Sequence, residues 1–449
     1  MKHLTPRQQN MIDSYKHSLT KKDLITRVQK LLDNTLSFTK SFSEGDLTGW
    51  EMVKEQPHPF IFELGHITLF YMHHFMRHNF EFTVPPDLYV MFDSLRNPPT
   101  SRSTSTFFSV TDQIKIYKNT METVLRGIKR TRGERCTPFF TYSLLTALLH
   151  NEMHNEVTLF LIDMIGHKSP ISRIFIPVRE ANVSNPFIQI REGTFTQGLQ
   201  LNDRVRTWDN EMPQHTTTVK SFYCQKYPVT NREFIAFINA GGYSNETLWS
   251  ATGWQWVRRE KPQMPKFWVK RDGKYYRKHF DHVISISDEP DHPVVKVNYY
   301  EAEAYATYCK GRLPTESEYE YMATNEGTTR YPWGNQSRDI EVFANVNYTQ
   351  GDVMPIKYYE QGYNQDGIYG LMGDCWYWTS TRFHPYDGYK IDPLYDTFSY
   401  PFFYERYVVK GAAWTCGEDL AYPQYRNAQE PEKRFHYTGI RVVMDMIPE

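Results

Sequence analysis

His150 and His154 stand four residues apart in Leu149-His150-Asn151-Glu152-Met153-His154-Asn155-Glu156. A helix places residues i and i+4 on one face, so two imidazoles at this spacing can grip one metal ion. The surrounding Leu144, Leu145, Leu148, Leu149, Val157 and Leu159 predict a helix with an apolar stripe. The zinc-protease arrangement requires Glu directly after the first His. Asn151 holds that place here, and Glu152 comes one later. A bare pair fits either a metal grip or two histidines of a core-facing helix. An open catalytic site needs a third ligand. Candidates are His66, in Glu63-Leu64-Gly65-His66-Ile67, and His73, His74 and His78 beyond it. Spacing alone does not choose among them.

Helices must position these rings. From Leu24 to about residue 165 apolar residues recur at three and four, as in Ile25-Val28-Leu31-Leu32 and Phe60-Leu64-Phe70. Four stretches, about 21–43, 59–79, 109–130 and 138–166, predict a helical bundle, the second opening after Pro57-His58-Pro59. Bundles build metal sites from inward-pointing side chains of facing helices. Past Pro170 the pattern changes to short β-rich runs (187–190, 216–219, 294–297), two helices near 230–239 and 299–309, and long loops rich in Trp, Tyr and Gly. Loops of that length in a compact domain usually serve binding or catalysis. The expected fold is α+β in two domains, 1–168 and 169–449, with the boundary near 168–185.

Composition sets outer limits. Lys+Arg number 51 against Asp+Glu 52 in 449 residues, a net charge of −1 that gives no electrostatic reason to expect nucleic acid or an anionic membrane. No run approaches 18 apolar residues, and residues 1–21 lack the apolar core of a secretion signal. Five scattered cysteines (Cys136, Cys224, Cys309, Cys375 and Cys416) fit reduced thiols in the cytoplasm. The aromatic fraction of 16%, with 32 tyrosines, supplies material for aromatic-lined pockets.

Leu64-Gly65-His66 followed by His150-x3-His154-x-Glu156 resembles the DinB-like four-helix domain of the ergothioneine-type sulfoxide synthases. The second half resembles their other domain, which is related to the formylglycine-generating enzymes and has a C-type-lectin-like core. It does so through Pro228-Val229-Thr230-Asn231-Arg232-Glu233-Phe234, Gly241-Gly242-Tyr243 and His292-Pro293-Val294-Val295. Arg312-Leu313-Pro314-Thr315-Glu316-Ser317-Glu318-Tyr319, Tyr331-Pro332-Trp333-Gly334, Trp376-Tyr377-Trp378-Thr379 and Gly439-Ile440-Arg441 follow in order.

The resemblance implies that His66, His150 and His154 hold a non-haem Fe(II), with three positions left free for a thiolate, an imidazole and O₂. It implies that Glu156 orients a ligand histidine, an arrangement common around metals. A tyrosine near the iron is implied as proton donor, with Tyr395 at the family position and Tyr400 as the substitute. Arg96 and Arg102 are candidate clamps for a substrate carboxylate. Trp414, Tyr377, Phe398 and Tyr425 could face a quaternary ammonium. Asn427, Gln429 and Lys433 lie in the family's substrate stretch, where enzymes using γ-glutamylcysteine carry Asp and Arg at the last two positions.

That departure points toward cysteine or another small thiol. Asp374-Cys375-Trp376-Tyr377-Trp378 lacks the carboxylate of the family's calcium-type loop, and Ala421 replaces the second copper-binding cysteine that would follow Cys416. The expected reaction joins a thiol to C2 of hercynine. Alternatives are a 5-histidylcysteine sulfoxide synthase, to which Tyr395-Asp396-Thr397-Phe398-Ser399 leans, a selenoneine synthase, or a non-catalytic binding module. Partners are then small molecules, with neither nucleic acid nor membrane.

Overall fold

The computed structural model describes residues 12, 14–16, 18–39, 60–97, 108–176, 183–203 and 206–446. Pro57-His58-Pro59 and Arg102 therefore lie outside the described residues. The chain forms two compact units. The first comprises Met1–Pro170 together with Gln200–Asp209 and Lys390–Tyr400, and the second holds the remainder. The first unit thus takes in two short segments from beyond residue 169, because packing rather than chain order decides which unit a loop joins.

Among the described residues the first unit is built on α1 (Lys21–Thr39), α2 (Phe60–Phe70), α3 (Pro86–Phe92), α4 (Val110–Arg130) and α5 (Pro138–Met164). The sequence explains their ends. Ser109 caps α4 by accepting the Asp112 N–H at 3.1 Å, and Thr137 caps α5 ahead of Pro138 at the first helical position. Past Phe70, α2 continues as a π-helical turn over Tyr71–Met76 and ends in Arg77–Asn79. α5 is buried on nearly all sides, as expected of the central helix of a bundle.

Asn151, the residue that stands where a zinc protease keeps its base, is structural here. Its amide accepts from Tyr117 at 2.9 Å and Tyr71 at 3.3 Å, and donates to Thr35 at 3.1 Å. One buried amide therefore ties α5 to α1, α4 and the π-helical turn, and its polar atoms are satisfied by that network.

The second unit is mainly irregular backbone around small sheets. Its strands are β1 (Phe187–Ile190), β2 (Gly193–Gln197), β3 (His215–Val219), β4 (Phe222–Gln225), β5 (Trp268–Arg271), β6 (Lys274–His279), β7 (His282–Ser285), β8 (Trp376–Arg382), β9 (Tyr407–Lys410), β10 (Asn427–Gln429), β11 (Thr438–Gly439) and β12 (Val443–Met444). They form sheets in the orders β1-β4-β12, β10-β9-β8-β11, β2-β3 and β5-β6-β7. Helices α6 (Asn231–Asn239) and α8 (Tyr299–Tyr308) open on capping boxes, Thr230/Glu233 and Asn298/Glu301. Two more, α7 (Ala251–Glu260) and α9 (Glu316–Ala323), were not expected from the sequence. The run 294–297 is not a strand: Lys296 turns the chain at φ +63°, which breaks an extended path. Among the described residues no helix is long and apolar enough to cross a membrane.

Candidate metal centre

His66 on α2 meets His150 and His154 on α5. One ligand nitrogen from each ring lies within 4.8 Å of the others. The ring centroids are 4.4 Å apart for His150 and His154, 4.7 Å for His66 and His154, and 5.1 Å for His66 and His150. His66 Nδ1 bonds the Phe92 carbonyl at 2.8 Å, and His154 Nδ1 bonds Glu63 Oε2 at 2.5 Å. Each ring is thereby fixed with Nε2 left to serve as a ligand.

His150 is buried, and neither of its ring nitrogens has a hydrogen-bond partner. An orphaned buried imidazole is costly, and a metal ion at this face would take the lone pair of one of its nitrogens. Burial above all, then the neighbouring His154, His66 and His74, holds its pKa well below the ordinary imidazole value. It is therefore neutral, with a lone pair to give. The donor set fits a divalent transition metal.

Two neighbours of His66 prepare the site. Glu63, three residues earlier and on the same helical face, is only 2% exposed and carries the carboxylate that orients His154. The resemblance gave that role to Glu156. Glu156 follows His154 by two, which sets the side chains about 200° apart around the helix. We expect Glu63→Gln to weaken metal binding by about 10–100-fold in a chelator competition, with the fold kept.

Gly65 admits the ring of Phe92, because a Cβ there would lie 2.1 Å from it. That close approach brings the Phe92 carbonyl to His66. Gly65→Ala should add about 1 kcal/mol of helix propensity but lose more, about 1–3 kcal/mol, to overpacking. Denaturant melts should show net destabilisation, and metal affinity should fall with it.

Beside the three histidines opens a cleft of about 170 Å³, lined by His66, Phe70, His73, His74, Tyr89 and Tyr395 among others. Phe70 stacks on His150 at 3.6 Å and on His74 at 4.0 Å, and meets the Tyr395 ring edge-on at 4.8 Å. Tyr395 lies 5.6 Å from His150 between ring centroids. Burial, then the charges of Asp209 and Asp392, push its phenol pKa well above the usual value, so it keeps its proton. Tyr400, the alternative, is 68% exposed. The π-helical turn presents His73 and His74 to the cleft, and His73 bonds the Tyr89 hydroxyl at 2.7 Å. His78 instead meets Phe139 edge-on at 6.1 Å.

Arg96 is exposed, 3.4 Å from Asp93 and 4.9 Å above the Tyr89 ring. Phe398 belongs to the first unit, stacked on Trp208 at 4.1 Å, and Tyr377, Trp414, Tyr425, Asn427, Gln429 and Lys433 belong to the second. Trp414 is buried, with its indole N–H unpartnered and Tyr437 5.2 Å away. Tyr425 packs on Trp376 at 5.8 Å. Asn427 and Gln429 lie in β10, and Lys433 sits 3.7 Å from Glu430. Sequence reasoning passed over Glu63, Phe70 and Phe92. Only Glu63 left a signal, its i, i+3 spacing to His66.

A family of sulfatase-modifying factor enzyme 1-like domains matches residues 176–446. Hercynine oxygenase of Mycolicibacterium thermoresistibile is 30% identical over 80% of this chain and 81% of its own length. Hercynine oxygenase of Mycobacterium tuberculosis is 32% identical over 66% of this chain and 70% of its own. The formylglycine-generating enzyme of Thermomonospora curvata is 30% identical over 59% of this chain and 94% of that one. With the relatives spanning both halves, this chain belongs to the hercynine oxygenase family of ergothioneine-type sulfoxide synthases, with a formylglycine-generating-enzyme-like domain in its C-terminal half.

Proposed function

We propose that this chain is an iron(II)- and O₂-dependent sulfoxide synthase that joins cysteine or γ-glutamylcysteine to imidazole C2 of hercynine. The observation that carries the reading is the buried, partnerless His150 in a three-imidazole face beside a protonated tyrosine. In outline a thiol, an imidazole C–H and O₂ give a sulfoxide and one water. The competing path, thiol plus O₂ to a sulfinate, needs no imidazole.

His66, His150 and His154 would hold the iron, which when bound supplies Lewis acidity toward the thiol and a site for O₂. Glu63 and the Phe92 carbonyl fix two of the rings. Phe70 and Tyr395 shield the face from water on the cleft side. Tyr395 holds a proton at its phenol oxygen, ready to be given during C–S bond formation. We assign Arg96 to a substrate carboxylate, with Trp414, Tyr425, Asn427, Gln429 and Lys433 as further substrate residues. Arg102 keeps the role on substrate that the resemblance gives it, and Glu63 takes the histidine-orienting role that the resemblance gives to Glu156. A DinB-like bundle for the first unit and a cytoplasmic location, where five free thiols stay reduced, complete the proposal.

The test is anaerobic iron loading, then mixing with cysteine or γ-glutamylcysteine and hercynine or histidine, exposure to O₂ and mass spectrometry. A hercynine–thiol sulfoxide is expected. Product with histidine alone would place the enzyme with the 5-histidylcysteine synthases. Failure to bind iron would leave only a binding module.

A further inference from the structure

The segment that carries Tyr395 is bolted to α5 by a buried ionic clasp. Asp392, 1% exposed, accepts the backbone N–H groups of Leu394 at 2.8 Å and Tyr395 at 2.9 Å through Oδ1. Its other oxygen takes the Arg206 guanidinium and the Tyr142 hydroxyl, the latter at 2.9 Å. Arg206 in turn donates to Thr146 at 3.1 Å and lies 4.2 Å over the Tyr142 ring. Tyr142 and Thr146 precede His150 on α5 by eight and four residues, so they occupy one helical stripe with it.

Asp209 repeats the fastening. It accepts the Asp392 N–H at 3.2 Å and the Ser399 hydroxyl at 2.5 Å. Trp208 stacks on Phe398 at 4.1 Å. The Asp392 end of the turn around Tyr395 is therefore held from the helix that bears two of the three histidines, and its Ser399 end from the segment 208–209.

A loop tyrosine left to packing alone would sample many rotamers and backbone positions. Charges this deeply buried are poor stabilisers unless they secure a geometry. We propose that the Arg206–Asp392 pair is a positioning device that sets the Tyr395 phenol against the metal face. It thereby fixes the partition between sulfoxide formation and sulfinate formation. The inference rests on the role proposed for Tyr395. Neither Arg206 nor Asp392 touches substrate; both act through the backbone of the Tyr395 turn.

The experiment uses full-length protein with Asp392→Asn, and with Tyr142→Phe as the milder variant that removes one hydroxyl and leaves the ion pair. Three readouts are taken: iron stoichiometry, hydrogen–deuterium exchange of the 390–400 peptide in metal-free protein, and the sulfinate-to-sulfoxide ratio with cysteine and hercynine. A misplacement of about 1 Å can cost about 100-fold in a positioned reaction. We expect exchange to accelerate, iron binding to persist, and the ratio to rise by about 10–100-fold in Asp392→Asn and less in Tyr142→Phe. Should the turn loosen in both variants while the ratio stays at the wild-type value, and Tyr395→Phe still shifts it, the clasp is structural only and the inference falls. Should Tyr395→Phe itself leave the ratio unchanged, the reading of Tyr395 fails first and takes the inference with it.

Discussion

Replacing His150 by alanine is expected to abolish stoichiometric metal binding while the helical unit stays folded. Four-ligand structural zinc sites are worth about 10–16 kcal/mol, or about 3 kcal/mol per ligand. Losing one of three imidazoles should then cost about 100-fold or more in affinity. The fold should survive because His150 has no hydrogen-bond partner to strand, so its removal leaves no orphaned donor or acceptor. What is lost is the ring stacked on Phe70 at 3.6 Å. That amounts to a large-to-small change of about 2–4 kcal/mol. Metal analysis by mass spectrometry after anaerobic reconstitution, with circular dichroism alongside, checks both halves. One equivalent of tightly held metal in the variant would remove His150 from the ligand set.

Tyr395→Phe should keep the iron and change the product. The phenylalanine ring preserves the edge-on contact with Phe70, so stability should move by no more than about 1 kcal/mol. The phenolic proton is what disappears. General-acid groups contribute about 10²–10⁴-fold, so sulfoxide formation should drop by about 100-fold or more. Oxygen should still be consumed, now yielding the thiol's sulfinate. Product analysis against O₂ uptake separates the two paths. Equal sulfoxide yields from the variant and the wild type would reject the assigned role.

The contrast with Tyr400 is instructive. Both tyrosines stand in one short segment, and only the resemblance to the family ranks Tyr395 ahead of Tyr400. The structure leaves Tyr400 68% exposed and sets Tyr395 against Phe70, His74 and His150. His74 adds a hydrogen bond to the backbone of Leu394. The register of this segment is thus fixed from α5 and the π-helical turn, elements far away in the chain.

Legibility followed the range of the interaction. The i, i+4 pair depends on residues one helical turn apart, so spacing alone reported it. Length and apolar periodicity likewise placed α1, α2, α4 and α5. The choice of His66 over His73, His74 and His78 needed the facing helix, because all four lie within a few turns on one chain segment. Glu63 escaped notice since its partner is 91 residues away, and so did the Phe92 carbonyl, 26 residues from His66, which only a glycine at 65 lets approach.

The sequence by itself therefore determined that two imidazoles share a helix face and where the long helices α1, α2, α4 and α5 run. Residue type and helical period act locally, and no other part of the chain can alter them. Spacing left the third histidine open until the resemblance named His66, and tertiary structure alone decided that Glu63 orients His154 and that residues 390–400 pack with the helical unit. Those choices are made by packing, which brings together partners far apart in the chain such as Arg206 and Asp392, separated by 186 residues.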